Sequence, residues 1–209
     1  MSSLVREVTA LYAPFGLWRR FYAGCRVALS RFDLVEHQLP PGGRVLDLGC
    51  GYGIAANYLA LSSPGRSVLG IDWDAKRIAI AEKTVGARPN LGFIQADVLR
   101  SEMPRADVVL MNDFLHHLSL KDQEGMLKRV GEALGPGSIV LIHEVNTRPF
   151  WKFVCSFLSD MVLYAFEGGH FRPPEEWVAL LKGAGFSSVE TVLGDQGSIF
   201  ARVSYIARK

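Results

Sequence analysis

A glycine-rich turn beside an acidic residue is the part of this sequence best suited to bind a ligand. An apolar run that contains Asp47 leads into glycines at alternate positions, Gly49, Gly51 and Gly53, and a helical pattern follows. Glycine allows a ligand to approach the backbone closely, and the first turn of a helix offers free N–H groups. The carboxylate of Asp47 can accept hydrogen bonds from an ammonium group. The combination favours a zwitterionic nucleoside over a bare pyrophosphate.

Histidines near two other predicted strand ends are suited to accept a proton from a substrate. His116 and His117 follow the fourth predicted strand, and His143 lies in the fifth. Their usual pKa range suits the removal of a proton from a hydroxyl or an amine. At most one of the adjacent pair should face a ligand, and in the strand either His143 or Glu144 should do so, because successive side chains point to opposite faces. Ordinary hydrogen-bonding roles in a loop or in the core are the alternatives.

Alternating apolar and helical runs predict the elements that position these residues. Five strands are expected between residues 43 and 145: Arg44–Leu48, Ser67–Asp72, Leu91–Asp97, Asp107–Asn112 and Ser138–Val145. Three helices lie between them: Ile54–Leu61, Asp74–Val85 with Asp74 as its N-cap, and Leu120–Leu134. Apolar strands separated by helices favour a parallel sheet that binds ligands at the carboxyl ends of its strands. Two further strands, Ser187–Leu193 and Phe200–Ala207, predict an antiparallel hairpin at one edge.

The stretch VLDLGCGYG, residues 45–53, resembles the best-known motif of the class I S-adenosylmethionine-dependent methyltransferases, and the resemblance covers residues 39–209. The dinucleotide-binding fingerprint differs, because its third glycine comes one position later. The resemblance implies a doubly wound α/β fold with seven strands in the order 3-2-1-4-5-7-6, and S-adenosylmethionine as cofactor. An NAD-dependent oxidoreductase and a non-catalytic protein that binds the cofactor or stabilises a partner are the alternatives.

The same resemblance implies roles for the glycine turn and for the acidic residues near it. The turn would pack against the methionine part and the ribose of the cofactor. Asp47 would lie near the methionine amino group, and Asp72 would bind both ribose hydroxyls. Trp73 would pack on the adenine, and its alternative role is packing under a loop.

Further along the chain the resemblance implies contacts to both ends of the cofactor. Asp97 would accept a hydrogen bond from the exocyclic amine of adenine, and the N–H of Val98 would cap the ring. Asn112, at the end of the fourth strand, would line the methionine end. For Asp72 and Asp97 the alternative is a capping role, which is common for acids at strand ends.

Two segments outside the sheet, 1–38 and 146–170, are expected to form a helical cap. The second contains an apolar run, Pro149–Phe166, which is too short for a transmembrane helix and carries two charged residues. Three interpretations stay open for it: a lid over an apolar acceptor, a dimer interface, or a segment that dips into a membrane surface together with Leu17–Tyr22.

The acceptor of the methyl group is expected to be a small apolar, aromatic or lipid-like molecule. Methylation at oxygen is favoured over methylation at nitrogen or carbon. Trp151, Tyr164 and His170 are the expected acceptor contacts, because they lie in or beside the cap segment that follows the fifth strand. For His170 the alternative is an ordinary surface loop position.

Composition limits the number of domains, the kind of partner and the kinds of site that we expect. The 209 residues are 49% hydrophobic and 21% charged, which predicts one globular domain, 1–209. A net charge of +2 is too small to indicate a nucleic-acid partner. The three cysteines are scattered, and the adjacent histidines lack a matching carboxylate cluster, so neither a disulfide framework nor a metal site is expected. We expect a cytoplasmic monomer or homodimer, with peripheral membrane contact as an open possibility.

Overall fold

The seven predicted strands form one sheet in the computed structural model, which describes residues 3–32, 35–163, 169–194 and 197–209. The strands are β1 (Gly42–Leu48), β2 (Gly65–Asp72), β3 (Leu91–Gln95), β4 (Val108–Asn112), β5 (Ile139–Val145), β6 (Ser188–Leu193) and β7 (Arg202–Arg208). Their order is β3-β2-β1-β4-β5-β7-β6, which confirms the expected fold and topology. Strand β1 is parallel to β2 and β4, whereas β7 is antiparallel to β5 and β6.

Helices occupy the positions that the apolar periodicity predicts. They are α1 (Ser3–Leu11), α2 (Leu17–Ser30), α3 (Ile54–Ser62), α4 (Ala75–Thr84), α5 (Leu120–Ala133), α6 (Phe150–Leu163) and α7 (Pro174–Gly183). Asp74 caps α4 as expected, since its carboxylate accepts from the backbone N–H groups of Lys76 and Arg77 at 2.8 and 3.2 Å. Within the described ranges, no helix combines the length and the apolar character needed to cross a bilayer.

The chain divides into two compact units, Met1–Leu110 and Met111–Lys209, with the boundary inside β4. In the first unit, buried Tyr12 links the N-terminal helices to α3. Its hydroxyl donates to the carbonyl of Tyr52 at 2.8 Å and accepts from Asn57 Nδ2 at 3.2 Å. Burial raises the pKa of Tyr12, so the hydroxyl stays neutral and available as a donor. The assignment of residues 1–209 to one domain stays a prediction.

In the second unit, β5 is buried along its whole length, including His143 and Glu144. Helix α7 begins at Pro174 and carries two acids in its first turn, as its sequence predicts, and it buries Trp177 and Leu181. Helix α6 occupies most of the 146–170 insertion, of which residues 164–168 lie outside the described part of the chain.

The third strand is shorter than its sequence predicts. We expect it to reach Asp97, but β3 ends at Gln95. The Asp97 carboxylate accepts from the N–H of Leu99 at 2.9 Å, and its carbonyl accepts from Arg100 and Ser101. These local bonds start a turn and compete with the strand ladder.

Two glycines on α5 provide a matched test of the packing in the second unit. A Cβ atom at Gly131 would lie 2.1 Å from the carbonyl oxygen of Ala184, whereas one at Gly125 would meet nothing within 4 Å. We expect Gly131→Ala to lower the free energy of unfolding by about 1–3 kcal/mol, because backbone must move to admit the methyl group. Gly125→Ala should raise it by about 0.5–1 kcal/mol through helix propensity. Urea unfolding measures both, and equal effects would contradict the packing described.

Candidate active site

The glycine turn after β1 has a backbone that residues with a side chain rarely adopt. Gly49, Gly51 and Gly53 have φ angles of +71°, +55° and +75°, in the region that favours glycine. At Gly53 a Cβ atom would also lie 2.4 Å from the ring of Phe93. The N–H of Gly49 donates to the carbonyl of Ile71 at 2.8 Å, which ties the turn to β2. The sequence therefore forms a tight glycine turn in front of α3.

Asp72 holds this turn in place from the end of β2. Its Oδ2 accepts from the N–H of Gly51 at 2.8 Å, and its Oδ1 accepts from the N–H of Asp74 at 2.9 Å. Asp72 is buried, so these bonds form where water competes little. An ionised carboxylate offers about four acceptor sites, so the capping role leaves room for ligand hydroxyls. The two roles expected of Asp72 are thus compatible.

Asp47 is a buried carboxylate that lacks a cation among the described residues. Burial first and the nearby charge of Asp72 second raise the pKa of Asp47 to about 7, against the opposing effect of a hydrogen bond from the backbone of Ala56. Its Oδ2 has no hydrogen-bond partner in the described part of the chain. A buried carboxylate is stabilised when a positive group pairs with it. Asp47 therefore fits the ammonium group of an amino acid.

The residues expected around adenine differ in their surroundings. Trp73 is 70% exposed, and Gln95 Nε2 donates to its carbonyl at 3.3 Å. Asp97 is half-exposed and lies 3.5 Å from Arg100 Nε, whereas Val98 is buried. The large exposed ring of Trp73 is unlike a side chain that packs under a loop.

In the second unit, a network of buried charged residues orders the chain that leaves β4. Asn112, the last residue of β4, has a buried Oδ1 without a hydrogen-bond partner in the described ranges. Asp113 follows with φ of +49°, and its N–H donates to the carbonyl of His143 at 2.8 Å. The carboxylate of Asp113 forms an ion pair with Arg202 on β7, and both side chains are buried. These bonds hold a residue in a conformation that few non-glycine residues adopt.

Glu144 on β5 organises the histidine loop. Its Oε1 accepts from the N–H groups of Phe114 and Leu115 at 3.2 and 2.8 Å, and its Oε2 lies 2.5 Å from His116 Nδ1. Both His116 and Glu144 are buried. Because a carboxylate only accepts, this bond assigns the ring proton of His116 to Nδ1 and its basic lone pair to Nε2.

A cluster of aromatic side chains lies against His116. Phe171 stacks on the imidazole with ring centroids 5.2 Å apart and an interplanar angle of 15°. Phe153 and Phe157 of α6 meet Phe171 edge-on at 5.2 and 6.0 Å. The ring of His117 lies 4.2 Å from that of His116. A flat, apolar molecule that entered here would find aromatic faces on which to pack.

The loop before α7 is bonded to the histidine loop. The N–H of His170 donates to the carbonyl of His116 at 2.7 Å, and Gln123 Nε2 donates to the carbonyl of His170 at 2.8 Å. Buried Arg172 fixes the next part of the loop through Gln123 Oε1 and Glu176 Oε2 at 2.7 and 2.8 Å. The side chain of His170 is exposed, so its backbone contributes more to the site than its ring.

The side chains of the other expected site residues make contacts away from this network or lie outside the described chain. His143 is buried and its Nδ1 lies 2.9 Å from Ser204 Oγ on β7, which is the core role considered for it. Trp151 is exposed, with Lys152 Nζ 5.5 Å from its ring centroid. Tyr164 lies outside the described residues. The catalytic and acceptor-binding roles of all three stay predictions.

Sequence reasoning missed the residues that support His116. Phe171, Asp113 and Arg202 carried no signal, because their partners are far away in the chain. Glu144 did carry one, since the alternation of side chains in β5 predicts that one of His143 and Glu144 reaches the ligand side. Glu144 is the one that bonds to the histidine loop.

Three ligand atoms of this network have a spacing that a cation could use. Oxygen or nitrogen atoms of Asp113, His116 and Glu144 all lie within 4.8 Å of one another. Arg202 already pairs with Asp113, and Glu144 already accepts three hydrogen bonds. We therefore interpret the group as a hydrogen-bonded network, and the expectation of no metal site stays a prediction.

The raised pKa of Asp47 predicts how stability depends on pH. The folded protein holds the Asp47 proton up to about pH 7, whereas an unfolded chain releases it near pH 4. Stability from this group is thus present below pH 4 and is lost as the pH rises through about 7. Between pH 4 and about pH 7 the free energy of unfolding of Asp47→Asn should rise relative to that of the unchanged protein, by up to about 4 kcal/mol. Urea unfolding without ligand at several pH values measures this difference, and parallel profiles would contradict it.

Comparison with known proteins places the chain in a family. The family model described as a methyltransferase domain matches residues 18–191. An uncharacterised methyltransferase of Synechocystis sp. is 30% identical over 203 residues, which cover 88% of this chain and 92% of that protein. The tetracenomycin polyketide synthesis 8-O-methyl transferase of Streptomyces glaucescens is 28% identical over 151 residues, or 70% of this chain and 44% of that protein.

A solved structure supports the fold. The chain resembles human N-acetylserotonin methyltransferase in complex with S-adenosylmethionine, with a TM-score of 0.68 and 22% identity. The match covers 99% of this chain and 56% of the human chain, so this chain spans only about half the length of the human and Streptomyces proteins. The family match, the strand order and the buried carboxylate of Asp47 all fit a methyltransferase fold. The chain belongs to the methyltransferase-domain family and is an S-adenosylmethionine-dependent methyltransferase.

Proposed function

We propose that the protein methylates a hydroxyl oxygen of a small aromatic acceptor and that His116 accepts the hydroxyl proton. The observation that carries this proposal is the bond between His116 Nδ1 and Glu144 beside the stacked ring of Phe171. It combines an oriented base with a surface that suits a flat, apolar molecule. The relatives that act at oxygen, by their names, support the same chemistry.

On the cofactor side, the proposal assigns the first unit a binding role. Asp47 holds the amino group, Asp72 the ribose hydroxyls, and the glycine turn the backbone contacts between them. Trp73 packs on adenine, Asp97 accepts a hydrogen bond from its exocyclic amine, and the N–H of Val98 caps the ring. When bound, S-adenosylmethionine supplies a methyl group on a positively charged sulfur, and the C–S bond breaks as the O–C bond forms, leaving S-adenosylhomocysteine.

The chain's own task is then to align the acceptor and to remove one proton. Glu144 fixes the His116 ring and stabilises the positive charge that the imidazole gains when Nε2 takes the proton. A positioned base of this kind contributes typically 10²–10⁴-fold to rate. His117 and His143 are the alternative bases, and the bond of His143 to Ser204 makes it the weaker of the two.

The acceptor packs between the aromatic rings of the second unit. Phe153, Phe157 and Phe171 supply apolar surface around His116, with Trp151 and His170 at exposed positions as further contacts. His116 is buried, so the acceptor reaches it only when neighbouring side chains move aside. The acceptor is a small molecule rather than a nucleic acid, and the cytoplasmic location and the monomeric or dimeric state remain expectations.

Binding of the cofactor product tests the role of Asp47. We expect Asp47→Asn to weaken binding of S-adenosylhomocysteine about tenfold to a hundredfold, because the amide cannot pair with an ammonium group. Asp107→Asn is the control, since Asp107 is an exposed partner of Arg44 ahead of β4. Isothermal calorimetry at pH 8 compares the two, and equal affinities in both variants would mean that the amino group binds elsewhere.

Turnover tests the role of His116. Each variant is incubated with labelled S-adenosylmethionine and a panel that contains N-acetylserotonin, simple phenols, hydroxylated polyketides and an aliphatic amine. We expect His116→Gln to lower kcat by a factor of about 10²–10⁴ on the best hydroxylated acceptor, with unchanged affinity for S-adenosylhomocysteine. Glu144→Gln should lower kcat less and alter the pH profile, because the ring loses its carboxylate partner.

The matched control is His37→Gln, since His37 is exposed in a short helix ahead of β1. Full turnover in His116→Gln, with loss of turnover in His117→Gln or His143→Gln, would assign the base elsewhere. Methylation of only the amine would overturn the choice of oxygen.

A further inference from the structure

The start of α2 exposes three large apolar side chains to solvent. Leu17, Trp18 and Phe21 are 85%, 60% and 60% exposed. At 100° per residue they fall within an arc of about 100° on one side of the helix. The rings of Trp18 and Phe21 have centroids 5.9 Å apart, so they form a continuous aromatic surface. We call these three side chains the α2 patch.

The charge around the α2 patch is positive. Residues 12–31 contain four arginines and no acidic residue. Arg20 is exposed and lies beside the patch, one position before Phe21. Arg19 is directed towards the ring of Tyr52, with Cζ 5.0 Å from its centroid, and Arg26 is buried. The exposed basic group nearest the patch is therefore Arg20.

An apolar face beside an exposed arginine matches the surface of an anionic bilayer. In amphipathic helices that lie on membranes, aromatic side chains enter the headgroup region while basic side chains meet lipid phosphates. The 14 residues of α2 give a helix of about 21 Å, which can lie along a bilayer surface and is too short to cross it. The other face of α2 buries Ala23 and Val27 in the first unit, so the helix remains folded on the protein.

A second copy of the chain is a poorer partner for this surface. In a two-fold interface the same patch faces itself. Arginines of the two copies would then approach each other, and α2 offers no acidic residue to pair with them. Phospholipid phosphates supply the missing negative charge.

We propose that α2 docks the protein on anionic phospholipid membranes, with the α2 patch inserted among the headgroups and Arg20 bound to lipid phosphate. This surface is separate from the residues assigned to methyl transfer, so its test is independent of the acceptor. The whole protein therefore binds reversibly to vesicles that contain anionic lipid, and more weakly to vesicles of neutral lipid.

Vesicle co-sedimentation tests this proposal with the full chain. The probes are vesicles of phosphatidylcholine mixed with phosphatidylglycerol, and vesicles of phosphatidylcholine alone. We expect Arg20→Glu to weaken binding to the anionic vesicles by about tenfold to thirtyfold, from the loss of one basic group and the gain of an acid. We expect the double variant Trp18→Ser, Phe21→Ser to weaken binding to both kinds of vesicle by tenfold or more, because it removes most of the apolar surface that enters the headgroup region.

The controls match these changes elsewhere on the surface. Lys128→Glu repeats the charge change at an exposed site on α5, and Ile199→Ser removes an apolar side chain that is 59% exposed. Both should bind like the unchanged protein, and circular dichroism checks that every variant folds. Absence of vesicle binding by the unchanged protein, or equal losses in the controls, would overturn the proposal. So would a dimer in analytical ultracentrifugation that the α2 variants dissociate, because the patch would then face a second copy.

Discussion

Backbone N–H groups in the loops that leave the strands need acceptors, and two buried carboxylates supply them. Asp72 accepts from Gly51 in the turn after β1, and Glu144 accepts from Phe114 and Leu115 after β4. In both cases the carboxylate belongs to another strand than the one the loop leaves, so the bond fixes the loop against β2 or β5. An unpaired buried donor costs about 1–3 kcal/mol, which gives both acids a structural role before any ligand binds.

Glu144 shows how such a structural role can also serve chemistry. The carboxylate that satisfies two loop donors also bonds to His116, so the conformation of the loop and the orientation of the ring depend on one side chain. The ion pair of Asp113 with Arg202 supports the same loop from β7. Because this pair is buried, removal of either partner would leave an uncompensated charge. The histidine is thus held by elements that are distant in the sequence.

The sequence predicts the scaffold well because its signals are local. Continuous apolar runs mark the strands, and the glycines of the turn stand where the backbone adopts positive φ angles. The predicted third strand is too long, because strand propensity takes no account of the local hydrogen bonds of Asp97. The site was only partly predictable, since 28 residues separate His116 from Glu144 and 89 separate Asp113 from Arg202. The alternation of side chains in β5 predicts that either His143 or Glu144 faces the ligand side. Only the packing of the histidine loop shows that Glu144 is the residue that bonds to it.

The raised pKa of Asp47 has a consequence for ligand capture. Below about pH 7, much of the free protein carries a neutral Asp47, whereas a ligand with an ammonium group pairs with the ionised form. In that range binding must expel a proton into the solvent, and the measured heat must vary with the ionisation enthalpy of the buffer. Under the cofactor-binding role proposed for Asp47, occupancy of that site responds to the acidity of the surroundings through a group with no assigned part in the proton transfer.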